Sequence, residues 1–484
     1  MPGDQSNRQI GLLVPWDPDG AGPAHQRLAA ALRHQVNNGR LRPGDRLPPT
    51  RILAEELGLS RWVITEAYDQ LKAEGYLTGR VGSGTVVAGV RETGTVRTAS
   101  GSSSARRATP GPGTGELPPG LSGTVDLSPA LPDLASFPRT AWRAALTRAL
   151  ATASDVDLGY PDPAGAPALR TTMAAYLRRV RGLDTDPERV HVTQGVRNAV
   201  ALVSRALRSR GARRVAVEDP SWPRMRDISR AAGLDVVPVP VDRDGIRVDR
   251  LPGLDVDAVF VTPTHQFPTG VPLSASRRVA LIEWATARDG IVVEDDYDAE
   301  FRYDRRPVGA LATRARDRVV YLGSTSKTLS PALHLGWMIA PARLDDALAA
   351  ARDGIGTLAP TLDQLALAAL ISTGAYDRHL RRLRGLYRHR RTALLTALSA
   401  SVPGSAYASM DAGVHVLWQL PDDTDETAVL TEAGERGLSL LGLTQCRVGP
   451  GPPGLVLGYG NLPEHRAPGV AEALADAVRA AGGR

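Results

Sequence analysis

Apolar residues recur at helical spacing at Leu28, Ala31, Leu32 and Val36, with Gln35 on the same face, from Pro23 until Asn37-Asn38-Gly39 signals a stop. This pattern predicts a first helix. Pro43-Gly44-Asp45 makes a turn, and Leu47-Pro48-Pro49-Thr50 leads into a second, short helix with Thr50 as N-cap, Ile52, Leu53 and Leu57 as apolar face, and Gly58 as terminator. Ser60 is placed to cap a third helix carrying Val63, Ile64, Ala67, Tyr68 and Leu71 and closing at Gly75. Tyr76 to Arg80 and Thr85 to Ala88 read as two strands of a hairpin around Val81-Gly82-Ser83-Gly84.

The pattern then changes. Residues 90–124, which include SGSSSARRATPGPGTGELPPG, show no apolar period and read as a partly extended linker. Residues 125–484 alternate strand-like apolar runs (Arg214–Val217, Ala258–Val261, Ile291–Val293, Val319–Leu322) with Ala/Leu/Arg-rich helical stretches. That alternation predicts an α/β fold with a mainly parallel sheet. The expected organisation is a helical head with a hairpin wing over 20–89, after a loose lead-in, then the linker and the large domain.

Composition adds a second kind of information. With 42% hydrophobic and 23% charged residues the chain is typical of soluble proteins. It holds no run of about 18 apolar residues that would span a bilayer, and MPGDQSNRQI lacks the features of a signal peptide, so a cytoplasmic protein is expected. The single cysteine, Cys446, excludes an intrachain disulfide and is expected to be part-buried. A net charge of +6 permits contact with polyanions. Of 58 basic residues only Lys72 and Lys327 are lysines. A lysine retained in so arginine-biased a chain is a candidate for work a permanently charged guanidinium cannot do, such as losing a proton and attacking a carbonyl.

In the head, helices separated by Gly58-Leu59 and followed by a Gly-rich hairpin suit a third helix that enters the major groove. Arg51 and Arg61 fit that use, Arg61 in the first turn where side chains reach base edges and free N–H groups favour phosphate; a tri-helical bundle with arginines near its helix ends is the bland alternative. From His25 to Ala88 the sequence resembles the winged helix-turn-helix of GntR regulators. The resemblance implies that Arg51, Ser60, Arg61 and the wing glycine Gly82 contact double-stranded operator DNA. Trp62-Val63 stands where the family more often has small polar residues, which implies a different base preference.

In the large domain, Lys327 follows Gly323-Ser324-Thr325-Ser326 at the end of a predicted strand, where hydroxyls suit a phosphate and the amine a Schiff base. Ile291–Val293 runs into Glu294-Asp295-Asp296-Tyr297, placing acids at a neighbouring strand end, where a carboxylate could hold a pyridine nitrogen protonated. A metal site or a solvated turn would use the same acids. The segments FPRTAW (Phe137–Trp142), LGYPDPAGAPALR (Leu158–Arg170), VTQGVRNA (Val192–Ala199), EDPSWP (Glu218–Pro223), TPTHQFPTG (Thr262–Gly270), EDDYDAEFRY (Glu294–Tyr303) and GSTSKTLSPALHLGW (Gly323–Trp337) are similar, in this order, to fold-type I aminotransferases of class I/II. Joined to a GntR-type head, the chain resembles the MocR family of transcription regulators.

That resemblance implies pyridoxal 5′-phosphate as cofactor, with Lys327 as its Schiff-base lysine, Asp295 on the pyridinium nitrogen, Tyr297 on the phenolic oxygen and Trp222 stacked on the ring. Gly195, Val196 and Arg197, with Ser324 and Ser326, would bind the phosphate, and Tyr160 would reach it from the second subunit of a head-to-tail homodimer. Three departures stand out. His334 replaces the phosphate arginine seven positions after the lysine, with Arg197 as a compensating cation; Phe267 replaces the asparagine of Asn-Pro-Thr-Gly; and Gly454–Tyr459 lacks the arginine that clamps a substrate carboxylate. The expected function is therefore sensing of pyridoxal phosphate, or of its adduct with an amine or amino acid, rather than turnover. A working aminotransferase with an attached helix-turn-helix and a DNA binder with an empty scaffold are the alternatives.

Overall fold

The computed structural model describes residues 24–37, 40–42, 44–73, 77–80, 84–87, 124–129, 131–303, 309–356, 358–408 and 411–482. The chain divides into two compact units, 1–107 and 108–484.

The first unit contains α1 (Ala24–Asn37), α2 (Thr50–Leu57), α3 (Arg61–Ala73) and the antiparallel pair β1 (Leu77–Arg80) and β2 (Gly84–Val87). The apolar periods of the three helices meet: Leu28, Leu32, Leu53, Ile64, Ala67, Tyr68 and Leu71 are buried together with Leu77 and Val87 of the hairpin. Gly58 takes the left-handed conformation, φ 64°, that stops α2. Thr50, expected as the N-cap of α2, is instead its first helical residue, and Pro49 holds the cap position with no side-chain bond. The Thr50 hydroxyl accepts from Arg61 Nε at 3.4 Å. Ser60 does cap α3, its Oγ accepting from Val63 N at 3.4 Å. The linker between residues 90 and 123 and the turn with Gly82 lie outside the described residues.

The second unit is built on an eight-stranded sheet. In chain order its strands follow the short β3 (Val125–Asp126): β4 (Val190–Thr193), β5 (Arg214–Asp219), β6 (Asp235–Asp242), β7 (Gly245–Ile246), β8 (Ala258–Val261), β9 (Ile291–Asp295), β10 (Val319–Ser324) and β11 (Gly336–Ile339). The spatial order is β4-β11-β10-β9-β8-β5-β6-β7. β10, β9, β8, β5 and β6 run parallel, whereas β11 is antiparallel to both its neighbours and β7 closes a hairpin on β6. Period-two alternation sorts the strand residues into two cores: Ala216, Val259, Val292 and Tyr321 join one, and Val217, Phe260, Val293 and Leu322 the other. A sheet covered on both faces needs this, and it explains why the runs read as continuously apolar.

The covering helices are α4 (Arg139–Thr152), α5 (Pro167–Arg181), α6 (Gly195–Ser209), α7 (Pro223–Ala231), α8 (Ala275–Ala287), α9 (Asp345–Ile355), α10 (Thr361–Ser372) and the long α11 (Ala375–Ser401). A second sheet, β12 (Ala406–Ala408), β13 (His415–Gln419), β15 (Leu441–Gly442) and β16 (Gly454–Gly458), follows, flanked by α12 (Glu426–Glu435) and α13 (Ala467–Ala480), while the short β14 (Leu438–Ser439) pairs parallel with β3. Cys446 is fully buried rather than part-buried, because it packs with Leu417, Leu443 and Val456 of this region. Among the described residues no helix is long and apolar enough to cross a membrane.

Candidate functional site

The carboxyl ends of the parallel strands converge on one edge of the large sheet, where α/β folds bind ligands. β9 delivers Asp295 there, and the register pairs it with Leu322 of β10, so that β10 ends in Ser324 beside it and Lys327 follows in the next turn. β5 leads into Ser221 and Trp222, the latter capping α7 and packing against a hydrophobic core of the sheet. β4 leads into α6, whose first residue Gly195 has φ 77°. Gln194, at the N-cap, gives no side-chain cap to the first turn of Gly195, Val196 and Arg197, and an uncapped helix start of this kind is one that can face an anion.

The electrostatics of this edge are unusual. Burial pushes the Asp295 carboxyl up to about 7, with Asp296 adding to the rise and Lys327 opposing it. Asp295 Oδ1 is buried with no hydrogen-bond partner among the described residues. An orphaned carboxylate oxygen of this kind is costly unless a donor completes it. Burial lowers the Lys327 amine from its ordinary 10.5 to about 8, against the pull of Asp298 and Asp295. A larger share of it is therefore the neutral, nucleophilic form near neutral pH than for a solvent lysine. Burial, followed by the charges of Asp298 and Asp295, raises the Tyr297 phenol well above its usual range. A ring with a protonatable nitrogen, a phenolic oxygen and an aldehyde would meet each of these groups.

Several residues of this centre escape motif reading. His265 Nδ1 lies 2.8 Å from Asp298 Oδ2 and 3.0 Å from the Tyr297 hydroxyl. His415 stands over both, its ring centroid 5.0 Å from that of His265 and 6.5 Å from that of Tyr297. Donor atoms of His265, Asp298 and His415 fall within 4.8 Å of one another, a spacing a metal could use. Hydrogen bonding engages one ring nitrogen of each histidine, His265 Nδ1 with Asp298 and His415 Nε2 with the Pro268 carbonyl at 3.2 Å, while His265 Nε2 and His415 Nδ1 are buried with no hydrogen-bond partner among the described residues. Gly413 backs the group at φ 81°, and a Cβ there would sit 2.1 Å from His265 Cε1. Phe267, in the asparagine's place, makes edge contacts with Tyr297 at 6.2 Å and with His415 at 5.2 Å. Behind Asp295, Asp296 takes Arg181 at 2.8 Å and the Tyr321 hydroxyl at 2.6 Å. Glu218 accepts from Thr262 N at 3.1 Å and Oγ1 at 2.6 Å. His265, Asp298 and Glu218 lie inside segments already singled out; His415 carries no local signal.

Other expected residues are placed differently. Ser324 is buried and its Oγ accepts from Ser326 N at 3.4 Å. His334 is an exposed non-glycine residue in the left-handed region, φ 48°, and its backbone N–H donates to the Pro331 carbonyl. Arg197 is exposed. Tyr160 is fully exposed at 104%, so within one chain it touches nothing of the pocket. On the head, Arg51, Ser60 and Arg61 are exposed; Arg51 forms an exposed pair with Glu55 at 3.5 Å. Trp62 stands beside them, 63% exposed, with His25 edge-on at 5.6 Å.

Comparison with known proteins agrees with both halves. The pattern of bacterial regulatory proteins of the gntR family matches residues 24–87, and that of aminotransferase class I and II matches residues 128–451. The chain is 35% identical over 462 residues (93% of this chain, 95% of the relative) to the HTH-type pyridoxine biosynthesis transcriptional regulator PdxR of Corynebacterium glutamicum. It is 32% identical over 461 residues (93% and 92%) to the probable rhizopine catabolism regulatory protein MocR of Rhizobium meliloti. Among solved structures, LysN, the α-aminoadipate aminotransferase of Thermus thermophilus complexed with N-(5′-phosphopyridoxyl)-L-leucine, superposes with a TM-score of 0.68 at 26% identity, covering 74% of this chain and 92% of that one. A GntR-type head and a fold-type I aminotransferase domain in one chain define a class of transcription regulator. The chain belongs to the MocR/PdxR type of that class.

Proposed function

We propose that this regulator reads an operator through residues 20–89 and, across a linker over 90–124, responds to pyridoxal 5′-phosphate held by Lys327 in residues 125–484. The observation that carries the reading is the presence, at one sheet edge, of a lysine whose amine is lowered to about 8 and of a buried carboxylate oxygen, on Asp295, that has no hydrogen-bond partner among the described residues. The cofactor's aldehyde takes up primary amines and its protonated ring withdraws electrons. Asp295 would hold the ring nitrogen, Tyr297 the phenolic oxygen and Trp222 the ring face. The open first turn of α6 at Gly195, Val196 and Arg197 would take the phosphate with Ser324 and Ser326. Tyr160, wholly exposed, is available to a second copy of the chain, as a homodimer would require.

Sensing rather than turnover is supported by what surrounds β16. Its residues Gly454–Gly458 are buried and carry no cationic side chain, and Gly458 has no room for one: a Cβ would lie 2.4 Å from the Ser128 carbonyl oxygen. An amine or amino acid would then be bound without the bidentate clamp that orients a substrate carboxylate. The test is a titration of the protein on its adjacent intergenic DNA with and without pyridoxal phosphate and candidate amines. A change of at least severalfold in DNA affinity is expected; identical curves in all mixtures would refute sensing, and steady turnover of an amino acid with a keto acid would favour an enzyme.

The head makes its own prediction. Arg61→Ala should weaken operator binding by roughly 10- to 100-fold, as removal of a base-edge arginine costs about 1–3 kcal/mol. A gel-shift or anisotropy titration checks it, and the absorbance of bound pyridoxal phosphate should be unaltered in the variant.

A further inference from the structure

We infer that the large unit carries a second ligand site, an arginine-lined cleft of about 700 Å³ between α5, α11 and residues 299–303 that binds a compact phosphate-bearing polyanion. Six arginines line it, Arg179, Arg181, Arg302, Arg381, Arg384 and Arg388, against two acids, Glu300 and Asp377. The acids do not balance the charge. Arg179 already takes Asp377 through contacts of 2.8 and 3.1 Å, and Arg181 takes Asp296 at 2.8 Å. Burial, with Asp296 beside it, raises the Glu300 carboxyl to about 7, so its negative charge is incomplete at neutral pH.

Arg381, Arg384 and Arg388 recur at i, i+3 and i+7 on α11, so they share one helix face. Among the described residues none of the three has an ion pair; Arg384 donates Nε only to the Glu300 carbonyl at 2.9 Å. Elsewhere arginines of this chain are commonly paired: Arg390 on the same helix takes Asp133 at 3.3 Å, and Arg391 takes Asp411 at 2.8 Å. Like charges gathered on concave walls focus a positive field, and guanidinium forks match phosphate oxygens two at a time. A cavity of this volume is of nucleotide size, whereas a duplex requires a broader surface. The floor residue Arg181 bridges to Asp296, the chain neighbour of Asp295.

The test uses the full-length protein saturated with pyridoxal phosphate and reduced with borohydride, so that the cofactor's own phosphate cradle is filled. Calorimetry with inorganic pyrophosphate, and separately with ATP, should show binding that weakens steeply with added sodium chloride. The triple variant R381Q/R384Q/R388Q should bind pyrophosphate at least about tenfold more weakly, and the lysine counterpart R381K/R384K/R388K should recover part of the loss. If the triple variant does not fold, Arg388→Gln alone, at an exposed position, should weaken binding severalfold. No heat with either anion, or undiminished binding by the glutamine variants, overturns the site. Loss of non-operator duplex binding in those variants, with no pyrophosphate binding by the parent, also overturns it and assigns the cleft to DNA.

Discussion

Lys327→Ala protein mixed with pyridoxal 5′-phosphate gains no long-wavelength absorbance and keeps no label after borohydride, whereas the parent acquires both and yields the label on one peptide, that containing Lys327. The expected effect is complete because the only other lysine, Lys72, lies in the DNA-binding head, far along the chain from Asp295 and Tyr297. The pH dependence follows from the amine. Its folded value of about 8 lies below the ordinary 10.5, so the neutral form grows steeply through pH 8, where it is half the population, and is nearly complete by about pH 9. The rate of cofactor uptake should climb over that range and then level off; a rise continuing to pH 10 would mean the attacking amine is solvent-like. Label persisting in the alanine variant would remove the cofactor reading, while operator binding by the head would stand.

How far this centre was legible depends on how local each signal is. Strand period and the residues just after a strand are local, and so Asp295, Tyr297, Ser324 and Lys327 could be singled out from the sequence; β9 and β10 then set the strand ends that lead into them next to each other through one register, Leu322 against Asp295. The turn at Gly195 was readable for the same reason, since that residue opens α6 directly after β4. Thr50 was misplaced by one residue because Pro49 presents the backbone angles of a cap without any side-chain donor or acceptor, a difference composition does not reveal.

What was not legible arises from long-range packing. His415 comes from β13 of the second sheet and meets His265, 150 positions earlier, only once that sheet closes on the large one. The glycine behind them, Gly413, has a purpose visible only when its neighbour is seen 2.1 Å from where a side chain would begin. The arginine cleft is hidden in a different way: in a chain with 58 basic residues, Arg381, Arg384 and Arg388 look like ordinary surface charge until they are seen to line one cleft without a carboxylate partner among the described residues. Tyr160 and His334, drawn from the resemblance, remain exposed in the single chain.

Asp295→Asn should separate cofactor binding from stability by moving them in opposite directions. The carboxylate is the group that can match a protonated ring nitrogen in a charge-assisted bond, and such bonds contribute about 1.5–3 kcal/mol, so pyridoxal phosphate affinity should fall roughly 10- to 100-fold by absorbance titration. Without cofactor the same carboxylate is a burden. Its folded value of about 7 exceeds the ordinary 3.8, so the unfolded chain releases the proton first as pH rises. Stability from this group is full below about 4 and is lost as pH climbs to about 7, because the unfolded state binds fewer protons throughout that window. The asparagine side chain removes that loss. The cofactor-free variant should therefore melt at a higher temperature than the parent at pH 8 and at nearly the same temperature at pH 4. Glu218, Glu294 and Glu300, each also raised to about 7 chiefly by burial, leave the parent's general decline with pH in place, so the comparison rests on the difference between the two proteins. Equal melting temperatures at both pH values would show Asp295 to be solvated rather than stranded, and unaltered cofactor affinity would show that the ring nitrogen is held elsewhere. A site whose empty form carries a stranded carboxylate and whose ligand completes it couples ligand binding to the stability of the fold, and the size of that coupling is the difference in ligand affinity between the states.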